Sequence, residues 1–143
     1  MARPSKDRIR TVLTVGGNAL VRPGEEGRVT QQRARAIELA EKIAALPGSM
    51  ELILTHGNGP QVGRVLLRSD LCSETVPPVP IDMAVSATQG QIGIMLQQAI
   101  ESVAKRPAAS VLTQVLVNAD DPAFKNPSKF IGRFYSKKEA HAK

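Results

Sequence analysis

ELILTHGNGPQVG, residues 51–63, is the stretch on which the fold turns. Apart from its opening glutamate, the run 51–55 is apolar or β-branched, the composition of a buried strand. His56-Gly57-Asn58-Gly59-Pro60 then breaks the pattern as a glycine-rich turn, and 61–70 resumes with helical spacing. Strand, glycine turn and helix in this order form the repeating unit of parallel α/β sheets, with the turn at the carboxyl end of the strand. The same order occurs earlier in the chain. TVLTV (11–15) is a short apolar run closed by Gly16-Gly17-Asn18. VTQQRARAIELAEKIAAL (29–46) predicts a helix with Ile37, Ala40, Ile43 and Ala44 on one face, Thr30 as N-cap and Pro47-Gly48 as its stop.

Working outward, residues 72–80 contain Pro77, Pro78 and Pro80 and read as a connecting loop, since proline removes donors and restricts its predecessor. Asp82 is placed as the N-cap of a long helix in which Val85, Thr88, Ile92, Leu96, Ala99 and Val103 share a face, ending before Pro107. Gly90 and Gly93 fall inside this helix, where each costs about 1 kcal/mol relative to alanine. Close packing against a neighbouring backbone is the simplest compensation. Residues 109–117 (ASVLTQVLV) read as a third strand, and from Asn118 onward turn residues, prolines and bases replace any periodicity. The expected fold class is α/β, a three-layer α/β/α sandwich with a mainly parallel sheet and right-handed crossovers. Its divisions are a basic arm (1–10), an α/β half-domain (11–117) and a patternless segment (118–143).

At 143 residues the chain has room for one domain, and its 42% hydrophobic and 22% charged content is that of a globular protein. A multidomain enzyme is not expected to fit within these residues. The single cysteine, Cys72, excludes an internal disulfide, and with no Cys/His cluster or CxxC pair there is no zinc motif. A reducing, cytoplasmic setting is expected, without a membrane span or secretory signal. The net charge of +6 is unevenly placed: residues 1–10 carry +3, residues 122–143 carry +5, and the middle is −2. That distribution does not describe a basic surface spread over a folded domain, although a basic tail still offers a site for polyanions.

Both glycine turns follow strands, so both fall where parallel α/β sheets hold ligands, and they are expected to line one crevice. Glycine permits close backbone approach, which lets successive N–H groups converge on an anion, while asparagine adds a neutral donor and acceptor. A plain strand-to-helix connection uses the same residues, and neither turn matches GxGxxG or GxxxxGK[ST]. His56 at a strand end reads more simply as a structural hydrogen-bonding residue than as an acid or base. Thr88 and Gln89 are compatible with solvent or with the crevice. The four aromatics Phe124, Phe130, Phe134 and Tyr135 lie among Lys125, Lys129 and Arg133, a mixture that also occurs in nucleic-acid stacking platforms. KFIGRFYS nevertheless does not fit the RRM signature.

VGGNAL (15–20), THGNGPQVG (55–63), the PxD…ATQGQIG segment (80–93) and LTQVLVNADDPAFKNPSKFIGRFY (112–135) appear in this order. Together they resemble the N-terminal half of the carbamate kinases, members of the amino-acid kinase superfamily, over nearly the whole chain. The resemblance implies reversible phosphoryl transfer between carbamoyl phosphate plus ADP and carbamate plus ATP, with Mg2+. It implies that Gly16, Gly17 and Asn18 form one phosphate-gripping turn and Gly57, Asn58 and Gly59 a second. Lys129, in a segment resembling NPxKPIG, matches a lysine on the family's protruding lid and is the catalytic candidate. On this reading 118–143 begins the lid, and its aromatics pack on a surface outside the chain rather than on nucleic acid.

The sequence departs from the family pattern at Asn118, Phe130, Arg133 and Ile94. Family members are about twice as long, and the resemblance implies that the nucleotide site for ATP/ADP lies in the half not represented here. The expectation is therefore a truncated, carbamate-binding portion, inactive alone, that handles a small-molecule substrate and forms a homodimer or associates with the remaining half. No protein metal ligand, nucleic-acid partner or membrane contact is expected. The alternative is a non-catalytic homologue or small-anion-binding module.

Overall fold

In the computed structural model the described residues are 9–16, 19–129, 131, 136, 137 and 141. Strand β1 (Arg10–Val15) pairs in parallel with β2 (Glu51–His56), and the register sets Val12 opposite Ile53 and Val15 opposite His56. Strand periodicity divides the sheet into two unlike faces. Leu13, Leu52 and Leu54 pack on the core, whereas Arg10, Val12 and Thr14 share the exposed face with Glu51, Ile53 and Thr55. Cross-strand partners on the exposed face still meet: Arg10 pairs with Glu51 at 3.4 Å, and Thr55 Oγ1 donates to Thr14 Oγ1 at 3.2 Å.

Between the strands runs α1 (Val29–Ala44). Its inward residues are Gln32, Ala36, Ala40 and Ile43, so the buried face is rotated from the predicted one, and Ile37 remains 44% exposed. The cause is local. Arg28, not Thr30, is the N-cap residue; its backbone N–H donates to Gln31 Oε1 at 2.8 Å. Gln32 is buried because its amide reaches back to the carbonyl of Gly27 at 2.8 Å, and Gly27 has the left-handed φ of 63° that turns the chain into the helix.

Two further helices follow β2: α2 (Gly59–Leu71) and α3 (Ile81–Ala99), the latter continuing as a π-helical turn, Ile100–Ala104. Asp82 lies in the first turn of α3 rather than capping it, where a carboxylate still complements the helix dipole. Lys105, with φ of 54°, ends the helical run in the left-handed conformation. A short 3₁₀ turn, Pro122–Phe124, is capped by Asp121, whose carboxylate accepts from Ala123 N–H at 2.8 Å.

The chain divides into two units. The first comprises residues 1–57 and 90–111, the second 58–89 and 112–143. Leu20, Ala36, Ala40, Ile43, Ile92, Met95, Leu96, Ala99 and Ile100 form the core of the first, with Ile92 and Ala40 fully buried. Arg106 fastens the end of this unit by donating to the carbonyls of Leu46 and Pro47 just beyond α1. In the second unit Thr88 and Ala84 on α3 and Gln61, Val62 and Gly63 on α2 are buried.

The expected third strand does not form: residues 109–117 pair with no strand among the described residues. The backbone of Thr113 is instead held by a side chain. Gln89 Oε1 accepts from Thr113 N–H at 2.9 Å, and Gln89 Nε2 donates to its carbonyl at 3.2 Å, an amide imitating one rung of a ladder. Around it Val111, Val115 and Leu116 are 79%, 84% and 97% exposed.

The two helical glycines of α3 differ. A Cβ on Gly93 would lie 2.8 Å from Ser110 Oγ and 2.9 Å from Ser110 Cβ, so this glycine permits close approach, to a side chain rather than a backbone. A Cβ on Gly90 would meet nothing within 4 Å. Gly90→Ala is therefore expected to stabilise the protein by up to ~1 kcal/mol through helix propensity alone. Gly93→Ala sets the same gain against an overpacking cost of roughly 1–3 kcal/mol, and is expected to destabilise. Thermal melts of the two variants check this, opposite signs being the expected outcome.

Candidate functional site

The glycine turns begin side by side. Because β1 and β2 are parallel and Val15 stands opposite His56, Gly16 and Gly57 leave the same end of the sheet, and Gly57 N–H donates to the Val15 carbonyl at 3.3 Å. The first turn reverses at once: Ala19 N–H donates to the carbonyl of Gly16 at 2.9 Å. A Cβ on Gly16 would meet nothing within 4 Å, so the space beside its backbone is open. Gly17 and Asn18, expected to belong to this turn, lie outside the described residues.

The second turn runs into α2 through Asn58, its N-cap residue, with φ of −138°. The Asn58 carbonyl accepts from Val62 N–H at 2.9 Å. Its side chain makes no capping bond but turns to α3, where Asn58 Nδ2 donates to the Val85 carbonyl at 3.2 Å and to Thr88 Oγ1 at 3.0 Å. Thr88, fully buried, satisfies its own hydroxyl on the preceding turn, with Ala84 and Val85 carbonyls each at 2.9 Å. Gly59, the first residue of α2, has an N–H that no carbonyl within the helix reaches, and a Cβ there would meet nothing within 4 Å. Pro60 suits this first turn because its missing donor is not needed there.

His56 is half-buried, with Nδ1 3.3 Å from the carbonyl of Gly57. Lys129 is exposed in irregular chain after the 3₁₀ turn. Phe130, Arg133, Phe134 and Tyr135 lie outside the described residues. Among the described residues no group of three or more His, Cys, Asp or Glu side chains converges to hold a metal ion. None of its described helices is long and apolar enough to cross a membrane.

The segment joining the first turn to α1 is tied down by charge. Arg35, only 19% exposed at its side chain, bridges Glu25 at 2.9 Å and also pairs with Glu38, while Arg22 reaches Glu38 at 2.8 Å. The Arg22 backbone N–H, at 2.9 Å, is the main influence holding the Glu25 carboxyl below the usual carboxylate range, with Arg35 adding to it. The hydrogen bond from Arg35 does the same for Glu38. Carboxyls depressed in the folded state stabilise it fully above their unfolded value near 4.5, and lose that contribution as pH falls through the folded value. Amide protection factors across 19–28 are accordingly expected to fall below about pH 4.5, while Glu25→Gln/Glu38→Gln shows less acid dependence there. The measurement is exchange protection as a function of pH.

The clamp on Asn58 has no signal in the sequence. Thr88 lies thirty positions away in another element, and a buried threonine on an apolar helical face carries no local mark of its partner.

Parallel strands ending together in glycine turns, with a helix opening at Asn58 after one of them, define an α/β protein of the kind that holds ligands at the carboxyl ends of its strands. Comparison with known proteins narrows the class. No family model matches the chain. The carbamate kinase of Thermococcus kodakarensis is 43% identical over 140 residues, covering 92% of this chain and 44% of that protein. That of Haemophilus influenzae is 42% identical over 134 residues, with coverage of 92% and 43%. Among solved structures, carbamate kinase from Giardia lamblia bound to citric acid superposes with a TM-score of 0.83 at 34% identity, over 95% of this chain and 46% of that one. The AMP-PNP-bound structure of the same enzyme gives 0.79. The chain belongs to the carbamate kinase family, and it spans under half the length of these relatives.

Proposed function

We propose that this chain is the carbamate-binding portion of a carbamate kinase, an enzyme transferring a phosphoryl group reversibly between carbamoyl phosphate plus ADP and carbamate plus ATP. The observation that carries the reading is the parallel pairing that starts both glycine turns at one end of the sheet, in a chain of this family. Phosphoryl transfer depends mostly on positioning and on neutralising charge, so backbone donors and a lysine are suitable parts. Gly16, Gly17 and Asn18, with Gly57, Asn58 and Gly59, are the proposed substrate-binding residues, and Lys129 the proposed catalytic cation. The open space beside Gly16 and Gly59 supports close approach of a ligand to the backbone, and the N-terminus of α2 favours an anion. Gly57 contributes less as a donor, because its N–H is engaged by Val15.

The nucleotide site, with ATP or ADP and Mg2+, is proposed to lie in the half of the family's length that this chain does not span. The chain is accordingly proposed to act in the cytoplasm, with the remaining half or in a homodimer. The test is ATP formation from ADP, Mg2+ and carbamoyl phosphate. The purified chain alone is expected to form none above background. Mixing it with a polypeptide carrying the other half of a carbamate kinase is expected to restore turnover. Failure of the folded mixture, with an intact family member active in parallel, would leave a non-catalytic homologue or anion-binding module.

A further inference from the structure

The two ends of the Asn58 carboxamide have different fates. Its nitrogen donates to the Val85 carbonyl, which only accepts, and to Thr88 Oγ1. Thr88 donates its one hydroxyl hydrogen to the carbonyls of the turn before it, and so it meets Asn58 as an acceptor. Two acceptors on the same side fix the nitrogen there, and exchanging the amide ends would set oxygen against oxygen. Both N–H hydrogens are thus spent on α3. The carbonyl Oδ1 makes no capping bond to α2 and has no donor among the described residues. Asn58 is only half-buried, and beside it Gly59 leaves the space that a Cβ would fill.

We infer that Asn58 selects the amino group of the substrate: Oδ1 accepts a hydrogen bond from the NH2 of carbamate or carbamoyl phosphate, and the Val85 carbonyl, which only accepts, sets this polarity while Thr88 helps hold the amide against α3. The inference rests on the proposed carbamate-kinase reading and deepens it. An asparagine with a free NH2 would serve phosphate; this one offers an acceptor, and an acceptor repels phosphate oxygens. It suits a ligand bearing N–H donors next to its anionic group. Acetyl phosphate has the same phosphate and carbonyl but a methyl where carbamoyl phosphate has NH2, so it cannot make the bond.

The experiment titrates the 143-residue chain with freshly prepared carbamoyl phosphate and, separately, with acetyl phosphate, following the Asn58 side-chain amide and the Gly59 N–H by NMR. Carbamoyl phosphate is expected to bind about 10-fold more tightly, the discrimination one neutral hydrogen bond supplies. Asn58→Ala removes the acceptor and is expected to bring the two affinities within about 2-fold, whereas Thr88→Val, which leaves the Val85 carbonyl in place, keeps the preference. Thermal melts of both variants show that they fold. Equal affinity of the wild-type chain for the two probes overturns the inference and leaves the substrate reading standing. Discrimination that persists in folded Asn58→Ala also overturns it, since the preference would then not come from Oδ1. Binding of neither probe overturns the reading and the inference together.

Discussion

Ile92→Ala is expected to cost ~2–5 kcal/mol of folding stability, a large share of the roughly 5–15 kcal/mol that holds a domain folded. Ile92 is fully buried, and its cluster includes Ala36, Ala40 and Ile43 of α1 and Met95 and Leu96 of its own helix. Several of these neighbours are already small, and alanines have no side-chain atoms with which to fill a hole. The cavity term is therefore expected to lie toward the upper part of the range. Urea unfolding followed by circular dichroism measures the loss. Ile94→Ala is the control: Ile94 is 48% exposed, and a change within about 0.5 kcal/mol is expected there. Comparable losses at both positions would mean that the packing of α3 against α1 is not what stabilises this unit.

Gly59→Ala is expected to separate stability from function by the widest margin. Nothing lies within 4 Å of a Cβ at this position, φ is not in the left-handed region, and the residue opens α2, so the folded protein should be unchanged or slightly more stable. If the backbone N–H of Gly59 approaches an anionic ligand as proposed, the new methyl occupies the ligand's place. Carbamoyl phosphate affinity is then expected to fall by about 100-fold or more, comparable to the loss of one charge-assisted hydrogen bond plus a steric clash. Gly16→Ala is expected to act in the same sense, since the space beside it is equally open. Retained affinity in both variants would remove the glycine turns from the site, and reduced melting temperatures would show that the glycines serve the fold instead.

How far the sequence could be read depended on whether a signal was local. The runs at 11–15 and 51–55 announced their strands, because β-branched and apolar residues without helical spacing suit little else. Gly16 and Gly57–Gly59 were legible as turns because each directly follows a strand. The face of α1 was not legible: Ile37 is apolar yet exposed, and Gln32 is polar yet buried, since its amide satisfies the Gly27 carbonyl. Hydropathy cannot anticipate a bond to a backbone oxygen five residues back. The run 109–117 has the composition of a strand, but a strand exists only with a partner. At Thr113 the Gln89 side chain has taken that role. At Asn58 the residue type was visible and its polarity was not. Which end of the Asn58 amide faces outward is decided by Val85 and Thr88, on a helix that the sequence places no closer to Asn58 than any other.

The discontinuity of the first unit bears on how the chain is made. Strands β1 and β2 and helix α1 are complete by residue 57, but the side chains that bury them, Ile92 to Ile100, belong to the later segment 90–111. At ~5–20 residues per second, a ribosome spends a few seconds on the intervening stretch, during which Leu13, Leu52 and Leu54 have only the part of their core that Leu20, Ala36, Ala40 and Ile43 supply. The nascent chain must therefore hold an unfinished apolar surface until α3 arrives and Arg106 reaches back to the end of α1. Slower translation across 58–89 is thus expected to prolong the exposure of that surface.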